Sequence, residues 1–182
     1  MPSITDHPPI LDATPHDQAL PCVIDIEASG FGRGSYPIEV GFVMPDGSAF
    51  CMLIRPEREW THWDGAAERI HGISRTLLEN HGRSVAEVAR ELNRRLAGRD
   101  VYCDNWAHDY AWLARLFEAA QLAPQFRLHH LRELLSEAAA AHFDDARDVV
   151  RRNLHLRRHR ASGDARVLQL SVVRAREAGM VG

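Results

Sequence analysis

The run Cys22-Val23-Ile24-Asp25-Ile26-Glu27 is short and β-branched, with Pro21 before it and a glycine-rich stretch after it. That pattern predicts a strand. Side chains alternate across a strand, so Asp25 and Glu27 share one face, about 6.5–7 Å apart along it. A strand this apolar is buried, and desolvating a carboxylate costs several kcal/mol. Two acids on one buried face therefore call for compensation, either by a divalent metal or by arginine pairing.

Outward from this run, Ala28 to Ser35 holds three glycines and reads as a loop. Ile38 to Met44 and Ser48 to Ile54 are two further strands, and Pro45-Asp46-Gly47 between them is a hairpin signal. Ser84 to Ala97 reads as a helix: Ser84 and Glu87 form a capping box, and Val85, Val88, Leu92 and Leu96 recur at helical spacing. Gly98 sits in the usual position just past its end. A strand over Asp100 to Cys103 follows, then a helix over Trp106 to Ala120 and a strand over Gln125 to Leu128. Leu131 to Ala141, Asp144 to Asn153 and Gly163 to Glu177 read as helices. This order predicts an α/β fold, a mixed sheet with helices packed on it. Residues 1–20 contain four prolines and no periodicity, so a poorly ordered leader is expected before a single domain over 21–182.

Length and composition agree. At 182 residues, 45% hydrophobic and 26% charged, the chain suits one globular domain without disulfide staples. No apolar run approaches the roughly 18 residues of a membrane helix, which excludes a transmembrane protein. All 22 basic residues are arginine. Without lysine, Schiff-base chemistry and the lysine-containing phosphate loop are both excluded. The net charge of −3 is unevenly placed: from Arg147 to Arg176 nine arginines face only Asp148 and Asp164. A basic segment on an acidic body suits an anionic partner, and it equally suits a solvated helix face. Cys22, Cys51 and Cys103 are odd in number and lie in apolar stretches, as expected of buried thiols in a reducing cytoplasm. The N-terminus lacks a secretion pattern, so a cytoplasmic location is expected.

Two more acids stand where solvent-seeking residues do not belong. Asp109 lies three and four residues before Trp112 and Leu113, which puts it on the core-facing side of its helix. Asp164 stands in the same relation to Val167 and Leu168, and as a helix-opening acid it also suits the helix dipole. Four acids on core-facing sides of three elements suggest a shared cluster for hard ions, Mg²⁺ or Mn²⁺, rather than zinc. His159 lies five residues earlier, on a loop expected to include Ser162-Gly163. An imidazole with a pKa of about 6.5 suits it to deprotonate water.

Five segments in order carry a family likeness: Val23-Ile24-Asp25-Ile26-Glu27-Ala28-Ser29-Gly30-Phe31, Pro37-Ile38-Glu39-Val40-Gly41, Ile70-His71-Gly72-Ile73-Ser74, Asn105-Trp106-Ala107-His108-Asp109, and His159 to Asp164. Over about Val23 to Val173 the chain resembles the DEDDh branch of the DnaQ-like 3′–5′ exonucleases, the group of ribonuclease T, oligoribonuclease and the proofreading subunits. It departs at Ala28, where a threonine is common, and at Asp104, where a histidine is frequent.

The resemblance implies a ribonuclease H-like fold with a five-stranded mixed sheet, the first three strands antiparallel. It also implies two divalent ions per site, with Asp25 bridging both, Glu27 and Asp164 on the ion carrying the attacking water, and Asp109 on the other. His159 would be the base. Phe31, His71 and Ile73 match positions that line the pocket for the terminal bases. The expected activity is hydrolysis of single-stranded RNA or DNA from the 3′ end to nucleoside 5′-monophosphates. Arg147 to Arg160 would follow the strand's phosphates, with His155, Arg157 and Arg158 on a segment closing over substrate. A noncatalytic binding module that keeps the fold is the alternative. Several small members of the family are dimers, and Trp60, Trp63 and the apolar helices are the expected source of a homodimer interface.

Overall fold

The computed structural model describes residues 20–154 and 159–181. The expected leader, apart from Leu20, lies outside the described residues, as do His155, Arg157 and Arg158.

Strands β1 (Cys22–Ala28), β2 (Pro37–Val43), β3 (Ala49–Leu53), β4 (Asp100–Cys103) and β5 (Arg127–His130) form one sheet in the order β3-β2-β1-β4-β5. The first three are antiparallel, while β4 and β5 run parallel to β1. Helices α1 (Gly65–His71), α2 (Arg75–His81), α3 (Val85–Leu96), α4 (Trp106–Ala119), α5 (Glu137–Ala141), α6 (Phe143–Leu154) and α7 (Ala161–Val181) flank it. The expected α/β architecture, a mixed five-stranded sheet covered by helices, is what the chain adopts.

The two-residue period of β1 sorts its side chains between two cores. Cys22, Ile24 and Ile26 join the cluster built with Val88 and Leu92 of α3 and Leu116 of α4. Val23 joins the other, with Val43, Phe143 of α6 and Leu168 and Val172 of α7. Each such side chain, fully buried, contributes about 1.5–3 kcal/mol. Asp25 and Glu27 follow Val23 on its face and are the two half-buried positions of an otherwise buried strand. The capping box of α3 forms in both directions. Gly98 takes the left-handed φ of +74° and donates its N–H to Gln125 O at 2.7 Å, which starts the chain back toward the sheet.

Several details differ from the sequence expectation. β5 spans Arg127–His130 rather than Gln125 to Leu128, because an edge strand can be polar: Asp100 accepts from Arg127 Nε at 2.7 Å and pairs with His129 Nε2 at 3.0 Å. The helix expected over Leu131 to Ala141 is broken into a 3-10 turn, Leu131–Leu134, and α5. Leu135 is extended between them, and Ser136 caps α5 by accepting from Ala139 N at 3.2 Å. Ser162 and Gly163 lie in the first turn of α7, not in a loop. Cys51 is exposed, since β3 is an edge strand, whereas Cys22 and Cys103 are buried. Trp60 is buried and stacks on Tyr36 with centroids 5.1 Å apart, while Trp63 is partly buried and packs against the same core. No helix among the described residues is long and apolar enough to cross a membrane.

Candidate active site

A cavity of about 320 Å³ opens at the carboxyl end of β1. Asp25 and Glu27 of β1, Asp109 of α4, and His159 and Asp164 at the head of α7 all line it. The structure thus brings the five residues read from the sequence to one place. Ligand-capable atoms of Glu27, His159 and Asp164 lie within 4.8 Å of one another.

Two residues of β2 dock the head of α7 here. Glu39, the register partner of Glu27, is completely buried. Its Oε1 accepts from Arg160 Nε at 3.0 Å and Nη2 at 2.7 Å, and its Oε2 accepts from Ala161 N at 2.9 Å. Gly41, the partner of Asp25, packs against the Ala161–Ser162 backbone so closely that a methyl group would collide with it. Asp164 closes the turn by accepting from Arg160 N at 3.2 Å. His159, just upstream, has a left-handed φ of +58° that few non-glycine residues adopt. Sequence reasoning quoted Glu39 within a motif and gave it no role. Its signal was a lone charge inside the apolar run Ile38 to Val43.

Burial and mutual repulsion disturb the acids. Burial, then the charges of Asp109, Glu27 and Asp164, holds the Asp25 carboxyl well above its usual range. Burial, with Asp164 and Glu39, pushes Glu27 up to about 7. Burial also raises Asp109 to about 7, against the opposing pull of the Cys103 thiol. Asp109 is 2% exposed, and its Oδ2 is buried without a hydrogen-bond partner among the described residues. An orphaned carboxylate oxygen inside a cluster of like charge is the donor set a hard divalent cation requires. The acids lining the cavity are thus of the chemistry that fits such an ion, and among the described residues Glu27, His159 and Asp164 are close enough together to share one.

A pH dependence follows. In the unfolded chain these carboxyls return to ordinary values near 4. Their protonation favours the folded state most below about pH 4, and that stabilisation is lost as the pH rises toward about 7. The metal-free protein is expected to melt on the order of 5–10 °C lower at pH 8 than at pH 5. Mg²⁺ should cancel most of the difference. Thermal melts at both pH values, with Mg²⁺ or chelator, check this; a melting temperature that climbs toward pH 8 in chelator contradicts it.

The residues assigned to substrate divide. Phe31 is 64% exposed on the cavity rim, with its ring 5.1 Å from His108 and 5.8 Å from Trp112. His71 is buried in the wall. Its Nδ1 accepts from Ile73 N at 3.0 Å, which places the neutral ring's proton on Nε2. That Nε2 is buried without a partner among the described residues, and burial lowers the ring's pKa and keeps it neutral. Ile73 is 2% exposed within the core and is not on the wall; its contribution is the backbone N–H that orients His71. Ile70, 58% exposed, stands on the wall instead.

Among solved structures, the chain is similar to Escherichia coli exonuclease I in complex with a dA16 oligonucleotide, at 14% identity and a TM-score of 0.64. The match covers 86% of this chain and 41% of that one. The zinc-bound exonuclease I–single-stranded DNA complex from E. coli matches at 13% and 0.64, covering 86% and 40%. A moderately thermophilic exonuclease I from Methylocaldum szegediense matches at 15% and 0.52, covering 62% and 27%. The fold is ribonuclease H-like. At these identities the likeness is one of fold, and the chain spans about two fifths or less of those proteins. No family model and no curated protein matches it.

Proposed function

We propose that this chain is a metal-dependent 3′–5′ exonuclease of the DEDDh type, acting on single-stranded nucleic acid and releasing nucleoside 5′-monophosphates. The observation that supports it is the convergence of Asp25, Glu27, Asp109, His159 and Asp164 on one cavity with disturbed carboxyl groups. Three exonuclease I structures of the same fold are complexes with a dA13 oligonucleotide, a dA16 oligonucleotide or single-stranded DNA, which agrees with a strand as the ligand.

Asp25, Glu27, Asp109 and Asp164 would hold two Mg²⁺ or Mn²⁺ ions. When bound, such ions make water a nucleophile at neutral pH and offset charge growing on the phosphate. His159 takes the proton of the attacking water at a ring nitrogen. Water adds to phosphorus, the bond from phosphorus to the 3′ oxygen of the preceding nucleotide breaks, and the terminal 5′-monophosphate leaves. His71 donates its Nε2–H to an acceptor on the terminal nucleotide, and Phe31 stacks on that nucleotide's base.

Stacking of this kind contributes about 1–3 kcal/mol per base and tolerates any base. Phe31→Ala is therefore expected to raise KM about tenfold on strands of any sequence and leave kcat nearly unchanged. Steady-state kinetics on homopolymeric strands check it. The reaction itself is tested with single strands of RNA and DNA labelled at the 3′ or the 5′ end, in Mg²⁺, Mn²⁺ or chelator. Labelled mononucleotide should leave 3′-labelled strands at once, while 5′-labelled strands shorten stepwise. Full activity in chelator would overturn the proposal.

A further inference from the structure

Nine arginines lie between 147 and 176, and the sequence does not tell them apart. Their surroundings in the fold do. Arg160 is tied to Glu39. Arg147 also has a buried Nε without an acceptor, but its terminal nitrogens pair with Asp104 at 3.0 Å and Asp144 at 2.7 Å and it does not line the cavity. Arg152 and Arg174 point to solvent. Arg157 and Arg158 are outside the described residues. Arg151 alone of the described seven lines the cavity. It is half-buried, and its Nε is buried with no acceptor among the described residues. It forms no ion pair with the carboxylates that share the cavity.

A buried guanidinium N–H without an acceptor is rare in folded proteins. Arg151 shares the cavity lining with five acids, Asp25, Glu27, Asp104, Asp109 and Asp164, none of which satisfies its Nε. An acceptor that enters the cavity from outside would complete it. A phosphodiester fits: its negative charge complements the guanidinium, and two of its oxygens match the fork formed by Nε and one Nη. The fork is mounted on a fixed element. Arg147 stands one turn earlier on α6 and binds that helix to Asp104 in the turn between β4 and α4.

We infer that Arg151 is the phosphate anchor of this site, and that its guanidinium binds the unbridged oxygens of the 3′-terminal phosphodiester. The inference rests on the proposed reading of the site as one for nucleic-acid strands. It selects the terminal linkage as the contact and assigns it to one arginine of the basic segment. It also explains why the position calls for arginine: a lysine would restore the charge and not the Nε donor.

The test uses Arg151→Ala and Arg151→Lys in the full chain, with thermal melts as the check on folding. Arg151→Ala should lower kcat/KM on a single strand about 10- to 100-fold. It should also flatten the dependence of log kcat/KM on log salt by about 0.7. Arg151→Lys should stay within a few fold of the alanine variant in rate and retain the wild-type salt slope. Binding is measured separately by fluorescence anisotropy in an Asp109→Asn background, on strands whose terminal linkage is a phosphodiester or an uncharged methylphosphonate. Arg151→Ala should weaken the first about 10- to 100-fold and the second less than about threefold; a merely structural role would weaken both alike. Should the wild type degrade strands while Arg151→Ala matches it in rate and salt slope, the anchor is wrong and the exonuclease reading survives. Should the wild type bind strands without degrading them, the anisotropy comparison decides the anchor alone. Should it neither bind nor degrade them, both fall.

Discussion

Asp109→Asn is expected to lower metal-dependent strand degradation by at least about 10³-fold and to raise the melting temperature of the metal-free protein at pH 8. The two effects have one cause. Asp109 is buried against other acids with an oxygen that no described residue satisfies, so its charge is unfavourable until a cation arrives. The amide keeps the shape and removes the charge. Metal-assisted charge stabilisation amounts to several kcal/mol of barrier, and each 1.36 kcal/mol is tenfold in rate. Loss of activity together with gained stability separates a ligand from a structural acid, whose removal would cost stability. Rate assays in Mg²⁺ and melts in chelator measure both. An active Asp109→Asn variant would refute the proposed chemistry.

Gly41→Ala is expected to disable the site from a residue that carries no functional group. Its Cβ would collide with the backbone of Ala161 and Ser162, where no side-chain rotamer can yield. The head of α7 must move away from β2, taking His159 and Asp164 with it. Overpacking costs about 1–3 kcal/mol, and backbone against backbone belongs at the upper end. A displacement of about 1 Å at a catalytic group can cost about 10²-fold in rate. Gly65→Ala, at the start of α1 with only the far end of Arg69 nearby, serves as the control and should change neither. Melts and rates of the two variants measure this; a fully active Gly41→Ala protein would mean that α7 does not depend on this close approach.

The sheet was largely legible in the sequence because its inner strands are short apolar runs set off by strong turn signals. α3 was legible because its capping box and its stripe of Val85, Val88, Leu92 and Leu96 agree. α1 and α2 were not. Each has seven residues, too short for a period to emerge, and their caps, Asp64 and Ser74, look like loop polar residues until the helix is known. β5 was placed early because its polar side chains gain their partners from Asp100 and Glu133, which pattern alone does not connect. In the site, Asp25, Glu27 and Asp109 stood out as acids in apolar company. Glu39 is likewise a lone acid in an apolar run, but its role and that of Arg151 depend on what lies across from them: Arg160 and Ala161 for one, a cavity for the other. Ile73 is placed on the wall by the family likeness of its motif alone, which does not carry the rotation of α1 that brings Ile70 there instead.

The docking of α7 also bears on synthesis. Asp25 and Glu27 leave the ribosome well before Arg160, Ala161 and Ser162, so Glu39 and Gly41 must wait for those residues before they can clasp that helix. Between those two moments the nascent polypeptide carries the acids of β1 without the wall that Asp164 and His159 supply. The cavity closes only when the helix settles onto the sheet.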